Sequence, residues 1–310
     1  MDRNNQSKLI LTSLVSLGLM TACASQPQVT AEQKTETTTT TTTSTVATPA
    51  PVSEAEHKQD EVVLPKSAQA AVNSSYRTLE NTNRDQYRHP LETLNFFGVK
   101  PNMTVVEITP GAGWYTEILT PLLATEGQYI AAIPPAGENK GMNETSAKVI
   151  AWIKSHKEFE GHATIADFAP PDSLVLAPEG SADMVLTFRN IHNWMARGYE
   201  RAVFESFFKS LKPGGVLGIE EHRANPKAPR DGKASSGYVL EKDVIRLAES
   251  VGFKLAAKSE INANKRDTKN YPDGVWTLPP TLRLKDQDRE KYMAIGESDR
   301  MTLRFVKPRK

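Results

Sequence analysis

The sequence has a single cysteine, no long hydrophobic run and no excess of either charge, and each absence removes a class of protein. One cysteine in 310 residues can form neither an internal disulfide nor a multi-cysteine metal site. Lys and Arg number 38 against 37 Asp and Glu, a formal net charge of +1. No bulk field would hold a polyanion, and no nucleic-acid partner is expected. The apolar run Leu9–Met20 spans twelve residues, short of the about 20 that a membrane-crossing helix needs. There is no internal repeat. What is present is length: 310 residues allow one large domain or two small ones at about 100 to 200 residues each, with enough chain to bury a core.

Arg3 and Lys8 precede the apolar run, the pattern of an export signal over residues 1–22. The run ends Leu19-Met20-Thr21-Ala22-Cys23, which resembles the lipobox of bacterial lipoproteins. That resemblance implies lipidation of Cys23 and an exported, periplasmic protein anchored to the cell envelope, expected at the outer membrane. The lipid would be the only membrane contact. From Ala24 to about Leu64 the chain is Thr, Ala, Pro, Glu and Gln, with seven consecutive Thr at 37–43. Without an apolar period it cannot offset its ordering entropy, so residues 23–64 are expected to be a disordered tether.

Residues 65–310 read as one domain in which strands and helices alternate. An N-terminal helical cap is expected over residues 66–98, with Ala68, Ala71 and Val72 on one face and Pro90 opening a helix that carries Leu91, Leu94 and Phe97. Met103–Ile108 is a strand, Pro110-Gly111-Ala112-Gly113 a turn, and Tyr115, Ile118, Leu119, Leu122 and Leu123 have helical spacing. Further strands are expected at Gln128–Ile133, near His162–Ile165, at Ala182–Phe188 and at Val216–Glu221, with helices at Lys148–Lys157, through Tyr199, Ala202, Val203, Phe204, Phe207 and Leu211, and at Glu241–Val251. Lys212-Pro213-Gly214-Gly215 should stop the helix before it. Phe253–Ile261 and Met301–Val306 then read as an antiparallel pair with no clear helix between them. The sum is an α/β fold: a doubly wound, mostly parallel sheet of seven strands with an antiparallel C-terminal pair.

In such a sheet a ligand binds beyond the carboxyl ends of the strands, where a glycine turn lets backbone amides approach it. The stretch Glu107-Ile108-Thr109-Pro110-Gly111-Ala112-Gly113 resembles the first motif of class I S-adenosylmethionine-dependent methyltransferases. The resemblance continues through Ala182-Asp183-Met184-Val185-Leu186 and Leu211-Lys212-Pro213-Gly214-Gly215. Within that family the chain is similar to exported methyltransferase-like proteins through Trp114-Tyr115-Thr116-Glu117, Thr187-Phe188-Arg189-Asn190, His192-Asn193-Trp194 and Gly274-Val275-Trp276-Thr277-Leu278-Pro279-Pro280. It implies a Rossmann-like methyltransferase fold, a small-molecule acceptor, and S-adenosylmethionine held by Glu107, Gly111, Gly113 and Asp167. The chain departs from the family at Thr109, in place of the first glycine, and at Ile133, where the family carries an acid for the ribose. A dinucleotide reading is poorer, because Thr116 takes its third glycine position and no acid ends the second strand.

The expected substrate wall is formed by the ends of strands four and five, which should be neighbours. Arg189, Asn190 and His192 then lie near Glu220, Glu221 and His222. A histidine beside a carboxylate serves as a general base, which makes His192 and Glu221 the candidate catalytic pair, with Arg189, Asn190, His222 and Trp276 lining the pocket. Two histidines with an acid also suit a metal, but no metal is assigned, since the histidines lack a close helical pair. Strand alternation sends Glu220 and Glu221 to opposite faces. Asp299-Arg300 reads as a structural ion pair and Arg283–Lys291 as a solvated helix face. A rival reading is a small-molecule-binding protein, or an enzyme of other chemistry, that keeps the fold without the cofactor. Export favours it, because S-adenosylmethionine is a cytosolic metabolite, and fold does not give function.

Overall fold

The computed structural model describes residues 62–135 and 140–309. These fall in one compact unit, Gln59–Lys310. The expectations for the export signal, for Cys23 and for nearly all of the tether lie outside the described residues.

Four short helices open the unit: α1 (Ala68–Val72), α2 (Leu79–Thr82), α3 (Asp85–Arg88) and α4 (Pro90–Phe97). Pro90 sits in the first turn of α4 and Gly98 ends it at φ 83, the arrangement expected of a residue without an N–H and one without a Cβ. Strands and helices then alternate as β1 (Thr104–Ile108), α5 (Thr116–Leu123), β2 (Gln128–Ile133), α6 (Lys140–Ser155), β3 (Ala163–Asp167), β4 (Ala182–Phe188), α7 (Ile191–Arg197), α8 (Glu200–Ser210), β5 (Leu211–His222), α9 (Glu241–Val251), β6 (Lys254–Ser259), α10 (Arg289–Ile295) and β7 (Arg300–Val306). The sheet has seven strands in the order β3-β2-β1-β4-β5-β7-β6. β1 pairs in parallel with β2 and β4, and β4 with β5, while β7 runs antiparallel to both β5 and β6. No helix among the described residues is long and apolar enough to cross a membrane.

Alternation along the buried strands divides the core in two. Val105, Tyr129, Ala131, Met184 and Leu186 face Leu94, Phe97, Ile118 and Leu122, so the N-terminal cap, α5 and α6 cover one side. Val106, Ile108, Val185, Leu217 and Ile219 face Trp194, Phe204, Phe207 and Val244 of α7, α8 and α9. Gly218 sets how closely the cap lies: a Cβ there would meet the Phe97 ring at 2.9 Å and Leu186 at 2.6 Å. The order of strands reverses between β1 and β4, and at that switch point a crevice opens above the carboxyl ends.

Several boundaries differ from the sequence reading. β5 starts at Leu211, so Lys212–Gly215 belongs to the strand. The end of the chain captures it, with Gly214 N donating to the Lys307 carbonyl at 2.8 Å and Lys307 N to that of Gly215 at 2.9 Å. α6 begins at Lys140, earlier than its apolar spacing suggested, and α10 lies between β6 and β7. The run Arg283–Lys291 is mostly turn, because Leu282 and Leu284 pack with Tyr292 and leave no continuous solvated helix face. Asp299 and Arg300 do not pair with each other. Neighbours at a strand start point apart, so Asp299 binds Arg223 at 2.9 Å and Lys269 at 2.7 Å, while Arg300 turns to Glu220 and Glu297.

Candidate functional site

The turn after β1 is held in left-handed backbone at three residues: Thr109 at φ 47, Gly111 at φ 61 and Gly113 at φ 90. Thr109 shows why a glycine is usual at its position, since a β-branched residue in that conformation is strained. The two glycines do different work. A Cβ on Gly111 would meet nothing within 4 Å, so this backbone borders open space, whereas one on Gly113 would meet Val149 of α6 at 3.3 Å. Space for a ligand is therefore open beside Gly111, while Gly113 packs against α6.

Glu107 is buried at the end of β1, where its Oε2 accepts hydrogen bonds from Tyr129 Oη at 2.7 Å and Thr116 Oγ1 at 3.1 Å. Burial pushes its carboxyl up to about 7, against the pull of those two hydroxyls and of Arg189. Its Oε1 makes no hydrogen bond among the described residues, and Glu107 lines a cavity of about 220 Å³ with Arg88, Gly111, Trp114, Phe188 and Arg189. A carboxyl with a raised folded pKa contributes stability that is complete below its unfolded value and is lost as pH rises through the folded one. Glu107→Gln should remove this dependence. Between pH 5 and 8 the wild type is expected to lose roughly 2 to 3 kcal/mol more than the variant, read from urea unfolding at each pH. Equal slopes would show that Glu107 is not buried as described.

β4 and β5 are adjacent, and both acids at the end of β5 are fully buried, on opposite faces. Glu221 is wrapped by donors. Its Oε2 accepts from the Ile191 N–H at 2.6 Å and the His192 N–H at 3.4 Å, and its Oε1 accepts from the His222 N–H at 2.7 Å. His192 Nδ1 lies 3.1 Å from the same Oε1. An acceptor in this position assigns the proton to Nδ1 and leaves the Nε2 lone pair free. The start of α7 is thus tied to β5, and the imidazole is oriented by the carboxylate that caps the helix.

His222 donates to or accepts from Ser298 Oγ through Nδ1 at 2.6 Å, with its ring 5.3 Å from that of His192. Burial first, together with the nearby cations Arg189, Arg300 and Arg88, holds it well below the usual histidine range, so it is neutral. Trp276 stands edge-on to His192 at 6.0 Å, with Arg283 over its face at 4.6 Å. One ligand atom each from His192, Glu221 and His222 lie within 4.8 Å of one another, the donor types of a two-histidine, one-carboxylate metal site. The Glu221 oxygens already accept four hydrogen bonds, three from backbone N–H groups, which organises the group around an acceptor rather than an ion.

On the other face, Glu220 Oε1 accepts from Arg189 Nη1 at 3.0 Å and Arg300 Nη1 at 2.9 Å. Arg300 also meets Glu297 at 3.2 Å and donates to the Tyr87 carbonyl. Glu297 receives Arg84 at 2.7 Å and Arg88 at 3.2 Å. Burial would raise the Glu297 carboxyl, but Arg88, Arg300, Arg84 and Arg189 together hold it down to about 2. None of Arg84, Arg88 and Glu297 was singled out in the sequence, and nothing local marks them.

Asn190 lines the small cavity beside Arg189, with its side chain engaged within the fold. Its Nδ2 donates to the Ile108 carbonyl at 2.9 Å and Thr187 Oγ1 at 3.3 Å, which ties β4 to β1. Ile133 is buried in the core of the cap side, so no acceptor faces a ribose from it. Asp167 ends β3 in register with Ile133 and is exposed, which leaves its carboxylate open. The larger cavity, about 860 Å³ beyond β5 and β6, lies against Arg223, Glu260, Lys269 and Asp299. Those charges are paired with one another, so size alone does not mark the site.

No family model matches the sequence, and no curated protein matches it. Solved structures do resemble it in fold. The [4+2]-cyclase SpnF aligns with a TM-score of 0.51 at 13% identity, over 78% of this chain and 93% of that one. A S-adenosylmethionine-dependent methyltransferase from Aquifex aeolicus gives 0.48 at 15%, over 78% and 98%. The arsenic(III) S-adenosylmethionine methyltransferase of Chlamydomonas reinhardtii gives 0.45 at 15%, over 80% and 75%. With its strand order, its antiparallel C-terminal pair and its glycine turn at the switch point, the chain has the Rossmann-like fold of the class I methyltransferases.

Proposed function

We propose that the protein is a S-adenosylmethionine-dependent methyltransferase acting on a small-molecule acceptor, exported and anchored to the cell envelope through Cys23. The observation that carries the activity is the β1 turn: open space beside Gly111 next to the free oxygen of buried Glu107. Those residues fit the amino-acid end of the cofactor, Glu107 for its ammonium group and the Gly111 backbone for close approach. Asp167 is the candidate at the adenosine end, where Ile133 offers nothing to the ribose. When bound, the cofactor supplies a sulfonium methyl group that passes to an acceptor atom as the carbon–sulfur bond breaks and a neutral thioether leaves.

The chain's own contribution is to position and to move a proton. His192 Nε2 takes the acceptor's proton, Glu221 holds the ring in the tautomer that permits it, and Trp276 walls the ring off. Titration of the full chain with S-adenosylhomocysteine by calorimetry tests the reading. Saturable one-to-one binding is expected, weakened at least about tenfold in Gly111→Ala, where the added methyl occupies ligand space and the φ of 61 adds strain. Absence of binding to the wild type would reject it.

A second reading has its own support. Ile133 in the core removes the usual ribose contact, and the fold neighbour SpnF is named as a [4+2]-cyclase. A protein that binds a small molecule, or performs other chemistry, on this fold without the cofactor would show no S-adenosylhomocysteine binding while keeping the His192–Glu221 geometry.

A further inference from the structure

Arg88 ends α3 with 3% exposure, its guanidinium 4.8 Å above the centre of Trp114 and its Nε bonded to Glu297 at 3.2 Å. Its Nη1 and Nη2 make no hydrogen bond among the described residues. Arg189, across the same cavity, uses Nη1 on Glu220 and leaves Nε and Nη2 without a hydrogen bond among those residues. Arg88 and Arg189 line this cavity, and together with Arg84 and Arg300 they share the carboxylates Glu220 and Glu297. Four cations thus meet two anions, with Glu107 only partly ionised near neutral pH. The chain as a whole carries +1, so the surplus is local. Uncompensated buried charge is costly, and a cavity beside it offers the means of compensation. The walls are apolar: Trp114, and the Tyr115 ring stacked on Phe188 at 3.8 Å.

We infer that this cavity binds a small organic carboxylate, its charge received by the free guanidinium N–H groups of Arg88 and Arg189 and its apolar body packed on Trp114 and Phe188. A guanidinium meets a carboxylate in a planar fork that a neutral amide cannot match. That this ligand is the methyl acceptor rests on the methyltransferase reading; the anion site rests on the arginines alone.

The test is calorimetry on the full chain with benzoate and with benzamide, its neutral counterpart, each with and without saturating S-adenosylhomocysteine. Benzoate is expected to bind at least about tenfold more tightly than benzamide, as a charge-assisted pair requires, and to bind equally well beside S-adenosylhomocysteine. Arg189→Gln should weaken benzoate about tenfold or more, and Glu220→Gln, which removes a neutralising charge from Arg189, should tighten it; the two opposite signs keep the test intact if one variant fails to fold. Equal affinity for benzoate and benzamide, no benzoate binding, or no response to either charge change would overturn the inference. So would displacement of benzoate by S-adenosylhomocysteine, which would give the arginines to the cofactor's own carboxylate. Charge-dependent benzoate binding without any S-adenosylhomocysteine binding would uphold the anion site and remove the methyltransferase reading instead.

Discussion

Replacing His192 with alanine is expected to lower methyl transfer by about 10² to 10⁴-fold, the range of a lost general base, with little change in S-adenosylhomocysteine affinity. The split follows from position. His192 lies at the β4–β5 end with its Nδ1 on Glu221, whereas the turn that would hold the cofactor lies at β1. Glu221→Gln should lose a large part of the same rate. An amide in place of the carboxylate keeps one oxygen for the N–H groups of Ile191, His192 and His222, and an amide N–H facing Nδ1 shifts the imidazole proton to Nε2, removing the lone pair a base needs. The measurement is the initial rate with a methyl-labelled donor and a carboxylate acceptor, normalised to folded protein. Normal specific activity with a lowered melting temperature would make both residues structural.

Glu220→Ala is expected to cost about 3 to 5 kcal/mol of stability, the scale for removing one partner from a buried ion cluster. Glu220 is fully buried and shared between Arg189 and Arg300. Its loss leaves Arg300 only Glu297, itself already facing Arg84 and Arg88, and leaves Arg189 without its carboxylate. Glu220→Gln keeps an acceptor and should cost less. The urea midpoint reads the effect, provided the slope is unchanged. A loss under about 1 kcal/mol for the alanine variant would place the cluster in water.

The parts of this architecture that were legible in the sequence are those set by local period. β2 and β4 begin and end at the residues expected, Gln128–Ile133 and Ala182–Phe188, and α9 at Glu241–Val251, because apolar runs bounded by turn residues fix both length and face. From the adjacency of β4 and β5 came the meeting of His192 with Glu221. What was not legible depends on distant chain. Pro213 and Gly214 read as a break, yet the β7 end draws them into β5 through Lys307. The arginine cluster joins Arg84 to Glu297 across 213 residues and Arg88 to Glu297 across 209, separations no window contains. Gly111 and Gly113 look alike as letters and differ only in what a Cβ would meet.

The most direct measurement is an experimental structure of the full chain crystallised with S-adenosylhomocysteine. The account expects the ligand over the carboxyl ends of β1 and β2, its amino-acid end within hydrogen-bond distance of Glu107 and against the Gly111 backbone, and Arg88 and Arg189 left free of it. A ligand absent at saturating concentration, or bound away from the Gly111 turn, would contradict it.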